Sequence, residues 1–600
     1  MSTAAGRRRQ RRPPGFRFRP ESGAPLARRI RSRDGSRSRL QAPHGLGRCR
    51  FSRRQPDGTH PSMAPDPDGQ PPEVGSAALD SSGQQRTEQT LTQPDRRVRR
   101  TVNQHVLDQS IQEFSRGYAY GKALLAYLHR AEADVVRVER SRQNRWLVHI
   151  VLPERLGAMF DIDLELLCMA TDYDRVEPRV LEDLHRSLRS ARVDDEIAVL
   201  LSADPNADRM TRRRPGGTAV LTLDAASLDD APELGDALAS MLVTVDHFNV
   251  TVPITDPTAF FGRDSDIESA RRCLRAGQHL GVFGLRKVGK SSLLNQVQRR
   301  MSEERWAVVR IDLNGYSGRA WQAVEDLLRR LHGSLHGLGL KPARLRSIGP
   351  NTAILRRYWL DDLSMLLDVA AERTDVLIVI DEIDIVLPGR LVAAGGSDTD
   401  RSLLLAAFSQ LRSIAQQRQS EGRSYPVVLS AGVDPHIFES PRTGRAANPL
   451  YQFSRIAFLE PLDREALAQM VRVLGKRTGM RFRDHRLIDE LRDEYGGHPL
   501  LTRQACSFLH HHRPSREVPY NVTLEALNDA FAAGATGSPL RHAHDTLDDF
   551  SEWYPDEARC IERLVAGQPV DVSTVRHAVD YGIVDASGAV RIRALTRRSA

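Results

Sequence analysis

One stretch constrains this chain more than any other: Gly281–Leu294, read GVFGLRKVGKSSLL. It holds Gly284-x-x-x-x-Gly289-Lys290-Ser291. An apolar run, His279–Phe283, leads into it and an apolar-periodic segment, Ser291–Val297, leads out. Strand, glycine loop and helix in that order make a cradle for phosphate. Glycines let backbone N–H groups turn inward around an anion, and the helix points its positive end at the same place. The candidate contacts are therefore Gly284, Leu285, Arg286, Lys287, Val288, Gly289, Lys290, Ser291 and Ser292. Lys290 supplies a point charge and the Ser291 hydroxyl a ligand for Mg²⁺. The chain has only five lysines, at 122, 287, 290, 341 and 476, and two of them lie in this loop. Elsewhere positive charge is carried by Arg, whose planar fork does a different job.

A second signal follows some 90 residues later, where 375–384 reads DVLIVIDEID. A β-branched and aliphatic run ending in adjacent acids fits a buried parallel strand that delivers carboxylates to its C-terminal edge. Asp381 is expected to hold Mg²⁺ and Glu382 to polarise an attacking water. Asp384 reads as a helix start without a catalytic role.

Composition bounds the rest. The five cysteines (Cys49, Cys168, Cys273, Cys506, Cys560) show no metal-ligand spacing, which points to a reducing, cytoplasmic setting rather than a disulfide framework. No apolar run has the length of a membrane span, so no membrane partner is expected. The net charge of +9 arises at one end: residues 1–60 hold 17 Arg against Glu21, Asp34 and Asp57. Residues 1–100, rich in Arg, Pro, Gly, Ser and Gln, are predicted to be a disordered tail, with Met63 as an alternative start. Residues 101–250 predict a small α/β domain of unassigned role. Its strands are placed at Asp134–Glu139, Arg145–Leu152, Glu196–Leu201 and Thr218–Asp224. The acids Asp161, Asp163, Glu165, Asp172 and Asp174 invite a metal-nuclease reading, but no carboxylate-x-Lys pairing accompanies them, and a solvated acidic surface is expected.

Just before the loop, Phe260-Phe261-Gly262-Arg263-Asp264 closes a Pro-containing linker. This box, some twenty residues ahead of a phosphate loop, resembles the start of the nucleotide-binding module in AAA+-like and STAND ATPases, above all the archaeal-type and origin-recognition-like ones. The resemblance implies an ATP-binding P-loop core at 256–460 and a helical lid at 461–515. Phe261, Gly262 and Arg263 would then lie beside the adenine. It further implies a polar γ-phosphate sensor at Ser430, on the strand PVVLS, and an arginine finger at Arg455 with Arg445 in reserve. Pro499, in EYGGHPLL, would be a lid contact on the adenine side.

Residues 520–600 predict a winged helix. Helices fall at Leu524–Ala532, Pro555–Ala566 and Val572–Val579, and a wing at Ile583–Arg593 turns on Asp-Ala-Ser-Gly. Together these describe an α/β P-loop NTPase with a parallel sheet, a lid and flanking domains, using ATP and Mg²⁺ as a conformational switch. An effector, protein or nucleic acid, and a second copy of the chain are the partners such a switch admits. Two alternatives compete: a nucleotide-held switch with negligible turnover, and a DNA-associated regulator or loader using the wing and the Arg-rich arm.

Overall fold

A computed structural model describes residues 49–50, 104–142, 144–189, 192–212, 216–316, 319–346, 352–444, 446–514, 517–532 and 539–595. All described residues lie in one compact unit, within 47–600. Of the predicted tail, only Cys49–Arg50 is described. It forms a short strand pairing in parallel with Ala457 and Phe458, a local departure from the predicted disorder; Met63 lies outside the described residues.

The apolar runs around the glycine loop assemble into one parallel sheet. Its order is Cys49–Arg50, Arg455–Phe458, Leu280–Phe283, Val427–Gly432, Val376–Asp381, Ala307–Asp312. Val376–Asp381 and Val427–Gly432 are buried along their whole length, as central strands covered on both faces must be. From Leu280–Phe283 the chain crosses two strand positions to the edge at Ala307–Asp312, then steps back inward. The strand order thus reverses beside the glycine loop, where an open α/β sheet leaves a crevice at its carboxyl ends.

The expected lid consists of three helices, Arg464–Arg477, His485–Tyr495 and Pro499–His512. Beyond them come Leu524–Ala532, Pro539–Trp553, Pro555–Val565 and Arg576–Asp580. The expected wing is a turn closed by a single antiparallel bridge, Val584 to Val590. The sheet, the lid and these helices share one continuous apolar core, so the segments drawn as separate domains are not separately cored.

The N-terminal sheet runs Asp134–Arg142, Arg145–Val151, Glu165–Thr171, Val193–Ser202, Ala219–Asp224 in chain order, antiparallel in its first two pairings and parallel in its last two. Its two faces bury different clusters: Leu166, Cys168 and Ala170 pack on one, Leu167 and Met169 on the other. Two helices, Gln104–Gly117 and Gly121–Arg130, precede the sheet. Of the acids, Glu165 bonds the buried His149 at 2.8 Å, while Asp161, Asp163, Asp172 and Asp174 are exposed. No group of three metal-ligating side chains occurs among the described residues, nor any helix long and apolar enough to cross a membrane.

Candidate functional site

The strand Leu280–Phe283 ends at Gly284, where a β-carbon would lie 2.9 Å from the Leu459 carbonyl oxygen. Gly289 takes φ +113° and caps the helix Lys290–Glu303. Both glycines are thus required by close approach and by backbone conformation. The buried Lys290 folds back over the loop, its Nζ donating to the Gly284 and Leu285 carbonyls at 2.9 Å each. Burial holds the ammonium below its usual range, against the pull of Glu382, Asp384 and Asp381. Ser291 stands half-buried beside it on the first helical turn.

The remaining loop residues have other partners. The Ser292 hydroxyl accepts the Ile254 N–H at 2.9 Å, and Asn295 and Gln296 donate to the Ile254 and Thr255 carbonyls. Lys287 Nζ donates to Thr251 at 2.9 Å. The linker before the loop is therefore strapped along the helix after it. Ser292, expected at the phosphate, is committed to that strap. Arg286 reaches outward to Asp549 at 2.9 Å.

Opposite the loop, Val376–Asp381 delivers its acids to the sheet edge as the sequence implies. Asp381 is buried and paired with Arg310 of the neighbouring strand, whose other guanidinium nitrogen holds Asn295. Glu382 adopts a left-handed backbone, φ +53°, uncommon for a residue with a side chain and costly to hold. Burial raises its carboxyl above the usual range; Asp381 and Asp312 add to this and Lys290 opposes it. Asp384 is fully buried and pushed up to about 7 by burial and by Glu382. Its carboxylate receives the Val433 N–H at 2.5 Å and the Asp434 N–H at 2.9 Å. It also fills the space where a β-carbon on Gly432 would stand, 2.7 Å away. The residue left without a role in the sequence reading thus ties the tip of the acid strand to the tip of its neighbour.

The lid touches the loop through a residue the sequence reading passed over. His498 caps the helix Pro499–His512, its Nδ1 receiving the Leu501 N–H, and its Nε2 lies 3.2 Å from the Arg286 carbonyl. Burial lowers its pKa to about 4, so the ring is neutral. With Nδ1 accepting, Nε2 carries the proton and donates to the loop. The signal was present in the motif: Gly497-His498-Pro499 contains the contact, but His498 makes it, while Pro499 is the half-buried first residue of the helix.

The other expected site residues stand as follows. Ser430 is fully buried in register with Gly281, two residues short of the edge where Gly432 faces Phe283. Its hydroxyl lies 3.5 Å from the Leu280 carbonyl, away from the loop. Arg455 opens its strand in register with Leu280 and donates to Gln278 at 2.6 Å. It stands at the amino end of the sheet, about 10 Å of strand from the carboxyl end where the loop begins. Arg445 lies outside the described residues. Arg263 is buried between Asp266 at 3.2 Å and the Glu460 carbonyl at 2.6 Å, joining the box to the lid hinge instead of facing a ligand. Phe261 is half-buried, and its neighbour Phe260 comes nearest to Gly289. Gly262 has a left-handed φ of +66° and packs against Ala466, where its β-carbon would clash at 2.1 Å.

The oxygen donors Ser291 and Asp381 suit Mg²⁺, which takes one or two protein oxygens, phosphate and water in place of a full protein cage. Arg310 neutralises Asp381 in the arrangement seen.

Residues 253–593, more than half of the chain, match the family model described as Novel STAND NTPase 1. No curated protein matches. Among solved structures, a Walker-type ATPase of Pyrococcus abyssi is 14% identical with a TM-score of 0.37, over 58% of this chain and 99% of its own. The Aeropyrum pernix ORC2 protein, in ADPNP–ADP complexes, is 13% identical with a TM-score of 0.36, over 58% and 94%. Likeness at this level bears no functional weight.

Proposed function

This chain belongs to the Novel STAND NTPase 1 family, and we propose that it is an ATP-binding conformational switch whose lid reads the state of the phosphate loop. The observation that carries this reading is the convergence of Lys290, Asp381, Glu382 and His498 around one loop at the carboxyl edge of a parallel sheet.

In this reading the loop amides and Lys290 bind the phosphates. The Lys290 ammonium exchanges its two carbonyl partners for phosphate oxygens, a charge-assisted bond stronger than the neutral ones it leaves. Ser291 and Asp381 would hold Mg²⁺, which would supply charge neutralisation on the phosphates. Glu382, with its proton affinity raised by burial, accepts the proton of the attacking water. Rearrangement of the loop moves the Arg286 carbonyl, and with it His498 and the lid helix.

A nucleotide-held switch with negligible turnover is the second reading. Arg455 lies at the far end of its own sheet, so a finger could reach a phosphoryl group only from another copy of the chain. The DNA-associated reading draws less support, because Arg576 pairs with Glu439 and Asp580. A cytoplasmic setting accords with four free cysteines among the described residues.

Thermal melting with and without Mg·ATP tests the assignment. Whatever Lys290→Ala costs the nucleotide-free protein through the loss of its two carbonyl partners, only the parent should gain stability from ligand, about 2.7 kcal/mol at a hundredfold excess over Kd. Equal stabilisation of both would overturn it.

A further inference from the structure

The lid helix Arg464–Arg477 borders a cavity of about 260 Å³. Three segments meet there: the end of the helix Glu154–Phe160, the lid from Arg472 to Arg483, and Val518–Pro519. Its floor is apolar, built from the buried Phe160, Leu242, Met480, Phe482 and Val518.

Its rim is cationic: Arg472, Lys476, Arg481 and Arg483 face one acid, Asp161. Two of these cations have structural partners. Lys476 pairs with Asp194 at 2.5 Å, and Arg481 donates to the Ala158 and Met159 carbonyls at the end of the helix Glu154–Phe160. Arg472 and Arg483 are exposed, and no ion pair or hydrogen bond engages either among the described residues. Burial, and after it the like charge of Arg483, holds the neighbouring Arg481 below its usual range, against the pull of Asp161. Asp161 is the one carboxylate in the lining against four cations, so the two exposed guanidinium groups above the apolar floor leave an excess of positive charge. Guanidinium forks suit carboxylate and phosphate oxygens, and the floor suits a hydrocarbon or ring.

We propose that this cavity is a second ligand site, for a small organic anion with an apolar body, its acid group held by Arg472 and Arg483. Such a ligand would bridge the N-terminal domain and the lid. That it would also alter nucleotide affinity rests on the switch reading above; binding itself does not, so the two fail separately.

Isothermal titration of the full chain with naphthyl phosphate tests it, beside inorganic phosphate. Saturable, salt-weakened binding of naphthyl phosphate is expected, with inorganic phosphate much weaker. Arg472→Glu/Arg483→Glu should weaken it by about tenfold or more, or 1.4 kcal/mol, while keeping the parent's melting temperature and its stabilisation by Mg·ATP. Lys290→Ala should bind the probe like the parent. Absence of saturable binding to the parent, equal binding by the double variant, equal affinity for inorganic phosphate, or loss of binding in Lys290→Ala would each overturn the proposal.

Discussion

Glu382 and His498 set the chemistry at the scale of single residues. Glu382 is held in a left-handed backbone and burial raises its carboxyl, and in the proposed mechanism it is the group that takes the proton. Glu382→Gln keeps size and polarity but removes the base. It should retain stabilisation by Mg·ATP and lose about 10²–10⁴ in single-turnover rate. Hydrolysis at the parent rate would shift the reading to the slow switch. His498 has its pKa lowered to about 4. Between pH 6.5 and 4 the unfolded chain binds a proton that the folded chain refuses. The contribution of His498 is therefore fully present above 6.5 and is lost as pH falls toward 4, up to about 3 kcal/mol. His498→Gln should flatten that part of the stability profile, measured by urea unfolding at a series of pH values. An unchanged slope would remove His498 from the account.

At the scale of elements, the hinge between sheet and lid is fixed by backbone contacts that only glycine permits. Gly497 takes φ +77° and donates no side chain: its carbonyl accepts the Leu462 N–H at 2.9 Å, and a β-carbon there would lie 2.2 Å from the Leu462 carbonyl oxygen. Gly497→Ala must move backbone against backbone. Where a compatible glycine replaced by alanine gains about 0.4–1 kcal/mol, this one should lose more than that, and the change should also weaken Mg·ATP stabilisation, because His498 is the next residue. Melting with and without ligand would show both effects; a change in stability alone would separate the hinge from the site. The element-scale reading of the sequence found this glycine pair but could not see that it places His498. Similarly, the strand Glu165–Thr171 escaped notice because ELLCMAT is a continuous apolar run, as compatible with a buried helix as with a strand.

Across the whole molecule, the N-terminal domain is docked on the lid by a buried pair. Arg477 donates to Glu196 and to the Gly216 carbonyl, at 2.5 Å each, and is almost fully buried. Removing one partner strands the other. Arg477→Met should therefore lower stability by roughly 3–5 kcal/mol, whereas the double change Arg477→Met/Glu196→Leu should recover much of it. If the double variant is no better than the single, the loss is one of packing, not of an unpaired charge. On the opposite side, Tyr554 donates to Asp434 at 3.1 Å and Tyr581 donates to the Val433 carbonyl. The residues that receive Asp384 thus also receive the C-terminal helices.

The sequence alone determined the strand–glycine loop–helix unit, the acid-tipped strand and the run of helices that follows the sheet. These depend on local patterns: glycine spacing, β-branched runs, helix periodicity. Only the tertiary structure decided which side chains face the loop. The family resemblance implied a sensor at Ser430, yet register sets it two residues below the edge. Arg455 looked like a finger because it precedes a core strand, yet that strand's amino end faces away from the loop. Arg310, Asp384 and His498 acquire their partners across separations of 71, 49 and 212 residues. No local pattern encodes such pairings; they follow from strand order and from the docking of the lid.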